Sequence, residues 1–136
     1  MLSGLSDAQR TAVTSDASRP LQILAGPGSG KTRVLTTRVA WLVQGAPDRK
    51  PIPPSRCVVV TFTNKAAAEM RSRLQVLIGE ERTRMLILGT FHATCARFLR
   101  RWGERIGLSR QFTIVDADDA KRIIKDICAA VSYTHL

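Results

Sequence analysis

Ala25-Gly26-Pro27-Gly28-Ser29-Gly30-Lys31-Thr32 satisfies the phosphate-loop pattern G-x-x-x-x-G-K-[ST] at every fixed position, from Gly26 to Thr32. Glycines at 26, 28 and 30 let the backbone turn sharply and aim its N–H groups into an anion-binding concavity. A helix opening near Lys31 adds the positive end of its dipole. Lys31 supplies a full charge for the β- and γ-phosphates, and the Thr32 hydroxyl suits a place on Mg²⁺. The flanks agree with the motif. The apolar run Leu21–Ala25 reads as a strand. Leu35, Val39 and Leu42, flanked by Val34 and Trp41, give the segment from Lys31 to about Val43 a helical stripe. A chance glycine-rich turn carrying Lys-Thr has no reason to sit between a strand and a helix.

Upstream, Leu5, Ala8, Ala12 and Val13 form the inner face of a short helix that Ser6 can cap. Gln9 stands 17 residues before Gly26. Its amide both donates and accepts, as the adenine edge requires, though taken alone it is an ordinary surface glutamine. Arg33 follows the loop directly and either reaches the nucleotide or is a solvated helix charge. Downstream, Gln44 to Ser55 contains Gly45, Pro47, Pro51, Pro53 and Pro54, which forbids helix and central strand and reads as an exposed loop within one domain.

Two further strand–helix units follow. Arg56 to Phe62 is a β-branched run suited to a strand buried on both faces. Thr61-Phe62-Thr63-Asn64-Lys65 ends it and opens a helix, with Asn64 as N-cap and Ala67, Met70, Leu74, Leu77 and Ile78 inside. Met85 to Gly89 reads as the third strand, and Gly89-Thr90-Phe91-His92 leads into a helix that buries Phe91, Cys95, Phe98, Leu99 and Trp102. Arg97, Arg100, Arg101 and Arg105 cover its other faces, either meeting phosphates or simply solvated. Ligands of open α/β sheets bind outside the carboxyl ends of the strands, so both loops are expected on the edge that carries the phosphate loop. There Phe62 can stack a base, and Thr63 and Lys65 can hold phosphates, although Phe62 in isolation reads as core. His92 has no Cys, Asp or Glu cluster beside it, which argues against a metal and leaves a polar contact to DNA or a capping role. Gln111 to Val115 is a short β-like run ending at Asp116, ahead of a helix striped by Ala120, Ile123, Ile124, Ile127 and Val131. Asp116 is placed like the magnesium carboxylate of P-loop ATPases, but Ala117 rather than a glutamate follows it. It reads as that helix's cap, with Asp118 and Asp119 favouring the dipole.

The bulk properties bound the partners. A chain of 136 residues, 44% hydrophobic, suits one packed domain. Net charge is +10, and 16 of the 21 basic residues are Arg, whose planar fork suits phosphate, so a polyanion such as nucleic acid is the expected partner. Cys57, Cys95 and Cys128 are odd in number and far apart, which argues against a disulfide framework or zinc site and fits a reducing compartment. Met1 to Asp16 has no apolar signal core, and no run approaches the ~20 apolar residues of a membrane span, so the expectation is a soluble, intracellular protein without membrane contact. The alternation of elements implies an α/β fold with a parallel sheet.

Several segments together resemble one family. Leu-Ser-Asp-Ala-Gln-Arg-Thr-Ala-Val (5–13), Ala-Gly-Pro-Gly-Ser-Gly-Lys-Thr-Arg (25–33), Val-Thr-Phe-Thr-Asn-Lys-Ala-Ala-Ala-Glu-Met-Arg (60–71) and Gly-Thr-Phe-His-Ala-Thr-Cys-Ala-Arg (89–97) look like the N-terminus of UvrD/Rep-type superfamily 1A DNA helicases. The phosphate loop is shared with many NTPases, whereas the third and fourth segments are much more specific. The resemblance implies a P-loop NTPase (RecA-like) parallel sheet with flanking helices, an incomplete N-terminal part of subdomain 1A. Residues 1–110 would be a partial ATP-binding domain, 111–131 a strand and helix leading toward the 1B insertion, and Ser132 to Leu136 a non-native tail. Gln9 would read adenine. Ala25, Gly26, Pro27, Gly28, Ser29, Gly30, Lys31, Thr32 and Arg33 would bind ATP, with Lys31 and Thr32 catalytic and Thr32 on Mg²⁺. Phe62, Thr63, Asn64 and Lys65 match motif Ia, and Thr90, Phe91 and His92 match motif Ib, both of which touch single-stranded DNA.

Full enzymes of this family couple ATP hydrolysis to 3′-to-5′ travel along a single strand in repair or recombination. This sequence departs from them in length and in lacking the Asp-Glu pair of motif II, motif III, the arginine fingers and the second RecA-like domain. The expectation is a piece that binds nucleotide weakly but neither hydrolyses ATP nor unwinds DNA alone. Two other readings compete: a small nucleotide kinase or ATPase using Asp116, and a non-catalytic nucleic-acid-binding P-loop module using the arginine faces. The proline-rich loop and arginine content lean toward a eukaryotic, nuclear member of the anti-recombination type; a bacterial member would be cytoplasmic.

Overall fold

Ser6 opens the first helix, α1 (Asp7–Thr14), through a reciprocal capping box. Its hydroxyl accepts from the Gln9 N–H, while Gln9 Oε1 accepts from the Ser6 N–H. The computed structural model describes residues 1–131, so the expected tail at Ser132–Leu136 lies outside the described residues. α2 (Lys31–Gln44) begins at Gly30 and ends at Gly45. It buries Val34, Val39, Ala40 and Val43, together with Thr36 and Thr37. Leu35, expected on the inner stripe, is 40% exposed, because Val34 instead turns toward α1 and packs with Leu5 and Val13. Arg38 fastens these two helices. Its guanidinium donates to the carbonyls of Ala12, Val13 and Ser15 at 2.9–3.1 Å, satisfying the open C-terminal end of α1.

The sheet consists of β1 (Val58–Thr61) and β2 (Ile87–Thr90), parallel, with Val58 opposite Ile87 and Thr61 opposite Thr90. Between them run α3 (Asn64–Ile78) and α4 (Glu80–Met85). Val59, Leu86 and Leu88 join Met70, Leu74 and Ile78 of α3 and Val39, Ala40 and Val43 of α2 in one core, so α3 uses the apolar stripe its spacing announced. Its cap is Thr63 rather than Asn64. Thr63 is extended and its Oγ1 accepts from the Ala66 N–H at 3.1 Å, while Asn64 is the first helical residue. Helix α4, which the sequence reading did not separate from the following strand, sits after Gly79. Glu80 and Glu81 lie in its first turn and Arg82 and Arg84 in its last, the arrangement the helix dipole favours.

Two expected strands are absent among the described residues. Leu21–Ala25 and Gln111–Val115 pair with nothing, and Leu24 is 85% exposed. An extended apolar run becomes a strand only when a neighbour takes its N–H and C=O groups, and β1 and β2 take only each other's. The fold is therefore α/β with a two-stranded parallel sheet, not the three or more strands expected.

Met1–Ala96 forms one compact unit and the residues from Arg97 onward a second, with α5 (Phe91–Trp102) running across the boundary. In the second unit a 3-10 turn at Gly103–Ile106 follows α5, and Gly103 is buried where an added Cβ would stand 3.1 Å from Leu108. α6 (Ala117–Ala130) is capped by Asp116, whose Oδ1 accepts from the Asp118 and Asp119 N–H groups. The apolar stripes of α5 and α6 do not form the interior expected of them. Thr94 and Ala96 are buried, whereas Phe91, Cys95 and Trp102 are exposed, as are Ile123, Ile124 and Ile127. Amphipathic spacing encodes a face that wants a partner; it does not supply one.

Candidate functional site

The phosphate loop is shaped by two glycines with positive φ. Gly28 lies at +74° and Gly30 at +86°, backbone conformations that L side chains rarely adopt. Gly30 is constrained twice, since an added Cβ would come within 2.9 Å of Gln9 Nε2. Gly26 has neither constraint. The loop is cross-braced. Gln9 Nε2 donates to Ser29 O at 2.9 Å, and Ser29 Oγ donates to Gly26 O at 2.7 Å. The Lys31 ammonium curls back over the loop and donates to Ala25 O at 2.9 Å and Gly26 O at 2.6 Å, which leaves one of its three protons for another acceptor.

What the loop presents follows from how the helices begin. α1, α3 and α6 have side-chain caps from Ser6, Thr63 and Asp116, and Thr90 Oγ1 accepts from the Ala93 N–H near the start of α5. α2, like the six-residue α4 after Gly79, starts from a glycine, so no side-chain oxygen takes up its first-turn N–H groups, and of the two it is α2 that opens from the phosphate loop. An anion seated there would meet those N–H groups and the helix dipole together. Beside this start lies a cleft of about 280 Å³ lined by Gly28, Gly30, Lys31, Thr32, Arg33 and Arg73. A second cleft, of about 260 Å³, has Gln9, Ala25, Ser29 and Lys31 among its walls. Arg73 of α3 escaped the sequence reading. Its only sequence signal is a Glu69 four residues earlier, with which it forms an exposed ion pair, the pattern of any solvated helix face.

The second set of expected residues gathers at the carboxyl end of the sheet. Register places Thr61 opposite Thr90, which brings the following loops together. The rings of Phe62 and Phe91 meet at 5.5 Å between centroids, tilted by 42°. Phe62 is 88% exposed, which overturns its reading as core: strand alternation ends on buried Thr61, and the next side chain turns outward. Thr63 and Thr90 use their hydroxyl oxygens as caps yet keep a proton to donate. Asn64, Lys65 and His92 stand exposed beside them. The structure thus assembles two groups: Gln9 with residues 25–33, and residues 62–65 with 90–92. The helix leaving the first packs against the helix leaving the second.

Charges away from these groups have structural work. Burial is the main reason the Arg38 guanidinium is held below its usual pKa. Asp16 lies below the ordinary carboxylate range because the Ser18 hydroxyl and N–H donate to it, with Arg38 adding a smaller attraction. Burial pushes the Cys57 thiol up. Among the described residues no three His, Cys, Asp or Glu side chains converge as a metal site, and no helix is long and apolar enough to cross a membrane.

The model of the UvrD/REP helicase N-terminal domain matches residues 5–135. Over 108 residues the chain is 51% identical to the ATP-dependent DNA helicase PcrA of Staphylococcus epidermidis and 50% identical to that of Staphylococcus aureus. These alignments cover 79% of this chain and 14% of each relative, so the chain spans a small part of the proteins it matches. By a match that runs nearly from end to end, the chain belongs to the UvrD/REP helicase N-terminal domain family.

Proposed function

We propose that this chain is the ATP-binding N-terminal part, RecA-like in plan, of an ATP-dependent helicase that travels 3′ to 5′ on single-stranded DNA in repair or recombination. The observation that carries the reading is the start of α2: an uncapped helix N-terminus on left-handed Gly30, with the Lys31 ammonium already inside the loop. The names of the relatives, ATP-dependent DNA helicases, agree with it.

The residues divide the work. Backbone N–H groups from Gly28 to Thr32 bind phosphate oxygens, and Lys31 exchanges its carbonyl partners for them. Thr32 offers its hydroxyl to Mg²⁺, and Arg33 lies against the nucleotide. Gln9 reads the adenine edge while bridging Ser6 and Ser29, so base recognition is tied to loop shape. When bound, the nucleotide supplies the phosphoanhydride whose hydrolysis drives travel. That hydrolysis also needs a magnesium carboxylate, a water-orienting base and an arginine finger. Asp116, the carboxylate whose place in the sequence suggested a magnesium ligand, is engaged as a helix cap, which speaks against the kinase reading. The 136 residues therefore hold nucleotide without turning it over. Phe62 and Phe91 offer bases an aromatic platform, with Thr63, Asn64, Lys65, Thr90 and His92 toward the strand's backbone.

A fluorescent ATP analogue with Mg²⁺ tests the loop. Lys31→Ala removes a charge-assisted contact of about 1.5–3 kcal/mol and should weaken binding about tenfold or more. Equal affinity of the two proteins would overturn the assignment.

A further inference from the structure

The second compact unit carries a charge asymmetry that the two groups above leave unused. Between Arg97 and Arg110 there are five arginines and one acid, Glu104. From Gln111 to Val131, Lys121, Arg122 and Lys125 are set against Asp116, Asp118, Asp119 and Asp126. The positive charge is thus confined to the end of α5 and the turn after it. Glu104 is taken by Arg110, at 2.9 Å. Among the described residues Arg97, Arg100, Arg101 and Arg105 have no carboxylate within ion-pair distance, and all four are exposed.

Their spacing gives them one surface. Residues 97, 100 and 101 are related by three and four positions and share a face of α5, while Phe98, Leu99 and Trp102 occupy another. Two of the guanidinium groups rest on rings. Arg100 lies 5.6 Å from the centroid of Phe112, and Arg101 lies 5.2 Å from that of Trp102. A guanidinium held against a ring has lost part of its rotamer freedom before any ligand arrives, and its N–H edge stays available. An unpaired row of such groups is what a chain of phosphates needs.

We infer that the Arg97–Arg100–Arg101 face of α5, with Arg105, is a second nucleic-acid contact, gripping the phosphodiester backbone of a single strand apart from the Phe62–Phe91 loops. It deepens the proposed function and rests on it: the first contact stacks bases, and this one neutralises phosphates without reading sequence. An aromatic residue 43% exposed within the same helix, Trp102, suits a single strand, whose unpaired bases can stack.

The test is a salt titration of the whole chain on a fluorescein-labelled oligothymidine, read by anisotropy. Each neutralised phosphate contributes about 0.7 to the slope of log affinity against log salt on single strands. The triple variant Arg97→Gln, Arg100→Gln, Arg101→Gln should lower the slope by about 2, and the corresponding Lys variants should restore it. Phe62→Ala should weaken binding with the slope unchanged. An unchanged slope in the Gln variant overturns this inference and would mean a solvated face or one that takes an acidic protein, while weakened binding by Phe62→Ala keeps the proposed function standing. A lowered slope with Phe62→Ala silent does the reverse. A wild-type chain that binds no oligonucleotide overturns both. All these positions are exposed, and far-UV circular dichroism of each variant should match the wild type.

Discussion

Two apolar runs in this chain have the same job description and different fates. Leu21–Ala25 leads into the phosphate loop and α2; Cys57–Thr61 leads into the Phe62 loop and α3. The second is a paired strand with Val59 only 5% exposed. The first pairs with no described segment, and its Leu24 is 85% exposed. Hydrophobicity is similar in both, so it is not what separates them. The difference lies in the neighbour: the carbonyl of Cys57 already accepts from the Ile87 N–H, and a crossover through α3 and α4 returns β2 to its side. Leu21–Ala25 has no such return within the described residues. A strand is a property of a pair, and each half alone is only an extended chain with polar groups to satisfy.

If that is right, the two halves of the first unit respond very differently to the same mutation. Leu74, fully buried beneath β1 and β2, should lose about 2–5 kcal/mol on truncation to Ala. Leu24→Ala, in the unpaired run, should stay within about 0.5 kcal/mol of wild type. Urea unfolding of both variants checks this, and comparable losses would mean that Leu21–Ala25 is packed in solution after all. The next effect sharpens the contrast inside the loop itself. Gly30→Ala must hold a left-handed residue and push against Gln9, at about 1–3 kcal/mol, whereas Gly26→Ala meets open space and should be nearly silent. Similar costs at the two glycines would contradict the loop geometry.

The smallest effect concerns the connection from α1 to the unpaired run. The Asp16 carboxyl is lowered by Ser18, so its contribution is present above the unfolded pKa, near 3.9, and is lost as pH falls through the depressed folded value. Thermal melts between neutral pH and pH 3 should show Asp16→Asn closing part of its gap to the wild type at the acid end. A gap that widens on acidification would reverse the sign of that assignment.

These cases also show why some features could be read in the sequence and others could not. The Ser6 cap, the stripe of α3 and the cap at Asp116 are local: each depends on residues a few positions apart, and each is found as read. The β1–β2 pair was legible because a continuous β-branched run has few other uses. Most of the errors are non-local. Leu21–Ala25 and Gln111–Val115 have strand-like residues without a partner, and the stripes of α5 and α6 are amphipathic without a cover. Phe62 looked like core because Phe usually is; only the point at which β1 stops, at Thr61, turns it outward. The shift from Asn64 to Thr63 as cap is a one-residue question that either side chain could have answered. Arg73 reaches the phosphate-loop cleft through the packing of α3 on α2, which no spacing along the chain announces.

On the function proposed above, one compact unit would serve two ligands at separate loops, a triphosphate at residues 25–33 and a nucleic-acid strand at 62–65 and 90–92. A two-step titration of the ¹⁵N-labelled chain followed by amide chemical shifts tests it most directly. A non-hydrolysable ATP analogue with Mg²⁺ should move Gly28 to Thr32 and the side-chain amide of Gln9. Subsequent oligothymidine should move Phe62 to Lys65 and Thr90 to His92. Nucleotide that leaves Gly28 to Thr32 unshifted, or an oligonucleotide that leaves Phe62 and Phe91 where they were, would contradict the account.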